Sequence, residues 1–104
     1  MIQEQDWRQW QTQSPAHAAT AAFLLFDVQN NLHMLETLQS ALAALQANLA
    51  TETYSLSGNS YFVQLQPQQV VIEELYGENT AEPLTLSLED FNEALTYWQT
   101  RQRQ

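Results

Sequence analysis

From Ala18 to Leu49 apolar residues recur at Ala18, Ala21, Leu25, Val28, Leu32, Leu35, Leu38, Leu42, Leu45 and Leu49, in steps of three or four. That spacing is the period of one helical face. The opposite face carries Gln29, Asn30, Glu36, Gln39, Ser40, Ala43 and Gln46. Ser14 is a good N-cap, and Pro15 suits the first helical position, where its missing N–H would have no partner anyway. The pattern therefore predicts a helical region from about Ser14 to Leu49, either one long helix or a helical hairpin broken near "DVQNN". A helix of about 35 residues would be about 50 Å long, against a diameter of about 26 Å for a compact domain of this length. The stripe nevertheless passes through Asn30-Asn31 in phase, with no Gly or Pro to interrupt it, which favours continuity or a mild kink.

After Thr51 the period changes to two. Tyr54 and Leu56 alternate with polar residues, as do Tyr61, Val63 and Leu65, and Gly58-Asn59 between them reads as a two-residue turn of the primed type. Pro67 sets a second turn in "QPQQ". A third strand follows in "VVIEELY", with Val70, Ile72, Glu74 and Tyr76 on one face and Val71, Glu73 and Leu75 on the other. "LTL" adds a short fourth strand through Leu84 and Leu86. Ser87 then caps a helix from Leu88 to about Thr100, with Glu89 and Asp90 in the first turn, where the helix dipole favours acids. Leu88, Phe91, Ala94, Leu95 and Trp98 form its apolar stripe, with Phe91 and Trp98 expected against the sheet. Near the N-terminus, Trp7 and Trp10 share one side of a short helix and are expected to pack back onto the core. The reading is a single α+β domain spanning residues 1–104: a long N-terminal helix or helical hairpin, an antiparallel meander of three to four strands, and a C-terminal helix packed on the sheet.

Composition narrows the partners. The 104 residues carry a net charge of −9, with three Lys+Arg against twelve Asp+Glu and no cysteine. No lysine occurs at all, and the arginines are Arg8, Arg101 and Arg103. Nucleic-acid and anionic-membrane binding need cations, so both are disfavoured. Disulfides and thiolate metal sites are excluded. "MIQEQDWRQWQ" lacks the features of a signal peptide, and no apolar run reaches the length of a membrane span, so the expectation is a cytoplasmic protein.

Catalytic chemistry has little to stand on. The sequence holds no G-x-S-x-G, no Gly-rich phosphate loop and no H-E-x-x-H, and no serine has a context that would activate it. His17 is expected to be solvated near its helix start. His33 and Glu36 share a helix patch, but Asp27 lies too far along to complete a metal site. Glu73 and Glu74, adjacent on a strand, point to opposite faces and form no dyad. Neither an enzyme nor a metal or cofactor site is expected.

What stands out is the stretch from Tyr61 to Leu95, which holds Glu73, Glu74, Glu78, Glu82, Glu89, Asp90 and Glu93 and no Lys or Arg. Neutral Gln is used freely elsewhere in the chain. The concentration of acids points to a basic protein partner, steered by complementary charge, with these seven residues as the candidate partner-binding set. The plainer alternative is a solvated acidic rim.

Over about residues 60–100, "SYFVQLQPQQVVIEELYGE" followed by "LTLSLEDFNEALTYWQ" resembles the layout of small acidic bacterial immunity proteins, in which strands ending in acids lead into an "L-x-L-E-D-F-x-x-A-L-x-x-W" helix. The resemblance lies in element order, capping and acidity. It implies a cytoplasmic inhibitor that covers a basic secreted toxin of the contact-dependent type, often a nuclease. In size and charge the chain is also similar to type III secretion chaperones, which bind an extended effector segment through apolar patches, although it lacks their second strand pair after a middle helix. A third reading is a homodimeric module built on the long helix. An acidic outer sheet face would suit the inhibitor, and an apolar one the chaperone.

Overall fold

The structure is a computed structural model that describes residues 2–75 and 83–102. Four helices accompany one four-stranded sheet: α1 (Glu4–Trp10), α2 (Pro15–Phe23), α3 (Leu32–Gln46), β1 (Tyr54–Ser57), β2 (Tyr61–Leu65), β3 (Val70–Glu74), β4 (Leu84–Leu86) and α4 (Leu88–Gln102). The strands form an antiparallel meander in the order β1-β2-β3-β4. The α+β class and element order are those the change of period predicts.

Pairing register explains which sheet face is covered. Leu56, Val63, Ile72 and Leu84 stand opposite one another across the four strands, as do Tyr54, Leu65, Val70 and Leu86. These two apolar rows share one face because cross-strand partners point the same way. Val63, Leu65, Val70 and Ile72 are fully buried there. Helix α2 lies over β3 and β4, α3 lies over β2, and α4 packs against α3 and α2. The opposite face carries Ser55, Ser57, Phe62, Gln64, Val71, Glu73 and Thr85.

The helical region from Ser14 onward is not continuous. Ser14 caps α2, its side chain accepting the His17 N–H, with Pro15 at the start of the helix. The helix then widens into a π turn over Leu24–Val28, closed by the Gln29 N–H donating to the Leu24 carbonyl at 2.7 Å. Gln29 has φ 52°, and Asn31 starts a new helix by accepting the Met34 N–H at 3.0 Å. A straight helix of about 50 Å would overrun a molecule whose largest extent is 36 Å. The extra residue of the π turn also rotates the apolar stripe, burying Leu24 and Val28 and leaving Leu25 and Leu32 about half exposed. Helix α3 ends at Gln46, short of Leu49. Asn48 takes a positive φ of 59°, and the Leu49 N–H closes back on the Ala44 carbonyl at 2.8 Å, which is the Schellman arrangement that favours Asn or Gly. Leu49 is exposed.

The C-terminal helix begins as its sequence predicts, the Ser87 hydroxyl accepting the Asp90 N–H at 3.0 Å. Ser87→Ala removes that acceptor from the helix start and is expected to lower stability by about 0.5–2 kcal/mol. An unchanged denaturation midpoint would show that the cap contributes nothing. Phe91 and Leu95 are fully buried. Trp98 is buried too, but it serves the helical layer, its indole N–H donating to the Gln29 carbonyl at 2.7 Å and so sealing the break between α2 and α3. Trp7 and Trp10 stack on each other at 5.1 Å, and Trp7 stacks on Tyr97 at 4.2 Å, folding α1 back onto α4.

The β1-β2 turn differs from its predicted type. Neither Gly58 nor Asn59 has a positive φ, so no primed turn forms. The Gly58 N–H reaches the Tyr61 carbonyl at 2.8 Å. The Ser60 and Tyr61 N–H groups donate to the Asp27 carboxylate at 3.0 and 2.9 Å. The π turn thus supplies a side-chain anchor for the hairpin, and Gly58 is needed for the close approach of Asp27.

Candidate interaction surface

Among the ten described acids, two groups bear on the candidate set; Asp6, Glu36 and Glu52 belong to neither. Three have work inside the molecule. Asp27 holds the hairpin turn. Glu4 accepts the Tyr97 hydroxyl at 2.6 Å. Asp90 meets His17, Oδ2 to Nε2, at 2.9 Å. The second group comprises Glu73, Glu74, Glu89 and Glu93, whose side chains make no hydrogen bond or ion pair among the described residues. Glu74, Glu89 and Glu93 are exposed and Glu73 is half-buried.

These four do not share a single plane. Glu73 stands on the outer sheet face opposite Phe62, and Glu74 on the helix side opposite Tyr61, the split that strand alternation predicts. Glu74 borders a groove of about 310 Å³ with Pro15, Ala18, Tyr61 and Leu84. Burial first, and then the negative charge of Glu74 and Asp27, hold the Tyr61 phenol above its ordinary value. Glu89 and Glu93 lie on the first turns of α4, Glu93 facing Asp6, Gln13 and Trp10 across a groove of about 620 Å³. Glu78 and Glu82 lie outside the described residues.

His17 is buried rather than solvated. Its ring meets Trp10 edge-on at 4.6 Å, and its Nδ1 lies 2.6 Å from the Ser14 hydroxyl. Serine, imidazole and carboxylate therefore stand in series. Acyl-transfer chemistry asks more of such a series: a nucleophile facing a cleft, with donors placed for the developing oxyanion. Here the Ser14 hydroxyl also accepts the His17 N–H as the helix cap, and the grooves of about 620, 490 and 310 Å³ are lined by other residues. The series clamps the start of α2 to the first turn of α4. Sequence reasoning missed it because its two halves are 73 residues apart.

His33 and Glu36 are both exposed on α3. Among the described residues no three His, Cys, Asp or Glu side chains gather to hold a metal ion. No helix among them is long and apolar enough to cross a membrane.

The Tyr97–Glu4 contact carries a pH prediction. Burial, followed by the hydrogen bond to Glu4 and its charge, raises the Tyr97 phenol above 10.0, with Arg101 opposing. A group raised in the folded state contributes stability below its unfolded value and loses it as pH climbs through the folded one. Stability is therefore expected to fall above about pH 10, and Tyr97→Phe should flatten that fall. Denaturation midpoints of both proteins from about pH 8 to 11.5 measure it. Parallel pH curves would exclude Tyr97 as a source.

Compared with protein-family models, curated proteins and solved structures, the chain gives no match.

Proposed function

We propose that this chain is a cytoplasmic, non-catalytic binding protein that neutralises a basic secreted toxin domain by covering it with carboxylates. The observation that carries this reading is the division among its acids. Asp27, Glu4 and Asp90 serve the fold, whereas Glu73, Glu74, Glu89 and Glu93 have no such partner among the described residues. Asp6, Glu36 and Glu52 have none either, and the four are set apart by falling together in the cation-free stretch from Tyr61 to Leu95. Holding these charges on one small domain opposes folding by self-repulsion, and a cationic partner would relieve it. Glu78 and Glu82, between β3 and β4 in sequence, extend the same acidic stretch. The outer sheet face, with Glu73 beside Phe62 and Val71, is neither the acidic face of an inhibitor nor the apolar face of a chaperone, so the reading rests on the end of β3 and the start of α4.

The test is capture of the partner from the native host, followed by association kinetics across a salt series. Association is expected to slow as salt rises, because the Debye length falls from about 10 Å at 0.1 M to about 3 Å at 1 M. Glu→Gln changes at positions 73, 74, 89 and 93 should slow it further at low salt. A partner with an acidic contact surface, or rates indifferent to both salt and these changes, would overturn the proposal.

A further inference from the structure

A second surface has the opposite chemistry. Between α1, α2 with its π turn, and the end of α4 runs an open groove of about 490 Å³. Ala18, Ala21 and Ala22 line it with small side chains, and the edges of the buried Trp7 and Trp98 close its floor. The π turn sets Leu25 and Phe26 on its border, 54% and 55% exposed. Such turns, and non-glycine residues at positive φ such as Gln29 beside it, concentrate at functional sites.

The charges lining this groove are unlike those of the rest of the molecule. Arg8 and Arg101, two of the three cations in a chain of net charge −9, both border it. Arg101 is held over the Trp98 ring at 5.4 Å, which presents a guanidinium beside apolar surface. The one carboxylate in the lining, Glu4, accepts from Tyr97. Placement in the last turns of α1 and α4 accounts for arginine there through the helix dipole. It does not account for Leu25 and Phe26 being left open to water between them.

We propose that this groove docks an amphipathic helical segment of a partner protein, its apolar side chains seated on Leu25 and Phe26 and its flanking carboxylates on Arg8 and Arg101. Charge complementarity selects the occupant: a basic segment would be repelled by the two guanidiniums, and an uncharged one would gain nothing from them. Helix-in-groove recognition uses this combination of apolar anchors and charged flanks. The surface is separate from the acidic one, so the two proposals stand or fall independently.

The probe is a fluorescently labelled helical peptide with Leu and Phe at i, i+3 and i+4 and Glu on its flanks, compared with the same peptide carrying Lys. Anisotropy is read against the wild type, Arg8→Gln/Arg101→Gln, Leu25→Ser/Phe26→Ser, and the four-site Glu→Gln variant. The Glu peptide is expected to bind, the Lys peptide to bind at least about tenfold more weakly, and the arginine variant to lose about tenfold, as two part-exposed ion pairs allow. The Leu25/Phe26 variant should lose binding while keeping the wild-type melting curve, since both side chains are half exposed. The four-site variant should bind as well as wild type. Failure of the Glu peptide to bind, equal binding of the two peptides, or binding that survives the arginine changes would overturn the proposal. So would concentration-dependent dimerisation abolished by Leu25→Ser/Phe26→Ser, which would make the occupant a second copy of this chain.

Discussion

Phe91→Ala is expected to lower stability by about 3–5 kcal/mol, the range for emptying a well-packed aromatic site. Phe91 is fully buried, one turn into α4, in the core that also holds Phe23, Leu95 and Ile72. Its position makes collapse of the cavity difficult. The start of α4 is held by the Ser87 cap and by the Asp90–His17 contact, and its far end by Trp98 on the Gln29 carbonyl. A helix fixed at both ends cannot slide inward to fill the void, which places the cost toward the upper part of the range. Domains of this size are stable by about 5–15 kcal/mol in total, so the variant should be marginal at room temperature. Chemical denaturation with the wild type as reference gives the number. A loss below about 1 kcal/mol would mean that the site repacks freely and that the clamps at the two ends of α4 do not hold it.

The parts of the fold that were legible in the sequence are those written locally. The cap at Ser87, the Ser14-Pro15 start and the alternation in β1 to β3 each report on their own neighbours. The helix break was partly legible. Asn31 followed by "LHML" is a cap signal, and Asn48 is a residue that tolerates positive φ. Neither signal enters the expectation from sequence, which sets a possible break near "DVQNN" against an unbroken apolar stripe, and an α-helical period cannot reveal a π turn that shifts the stripe. Long-range partners were not legible at all. His17 and Asp27 look like ordinary polar helix residues until the tertiary structure brings Asp90 and the β1-β2 turn against them. The acidic set was legible as residues and in part as geometry: strand alternation foretold the division of Glu73 from Glu74, but nothing local foretold that the helix clamp would take Asp90. The arginine-edged groove left no sequence signal, since Arg8 and Arg101 are 93 residues apart and each has a local explanation at a helix end.

The contact between Asp27 and the hairpin turn gives the other large expected effect. Asp27→Ala should cost about 2–4 kcal/mol, because the Ser60 and Tyr61 N–H groups lose a charged acceptor and hydrogen bonds of that kind are worth about 1.5–3 kcal/mol each, less where water reaches them. Gly58→Ala should be costly by a different route. A Cβ there would fall 2.7 Å from the Asp27 Cγ and would overlap its carboxylate, although the backbone at Gly58 has no positive φ and would otherwise accept alanine. The two changes must therefore be strongly coupled. In the Asp27→Ala background the carboxylate is gone and only the Cβ at 3.0 Å remains, so adding Gly58→Ala should cost little more. A double-mutant cycle by chemical denaturation is expected to show a coupling of about 1–3 kcal/mol, at the high end for residues in contact. Additive losses would mean that Gly58 is required for the conformation of its own turn rather than for the approach of Asp27. The loss on Asp27→Ala alone would still measure the anchor that the π turn gives the hairpin through the Ser60 and Tyr61 N–H groups.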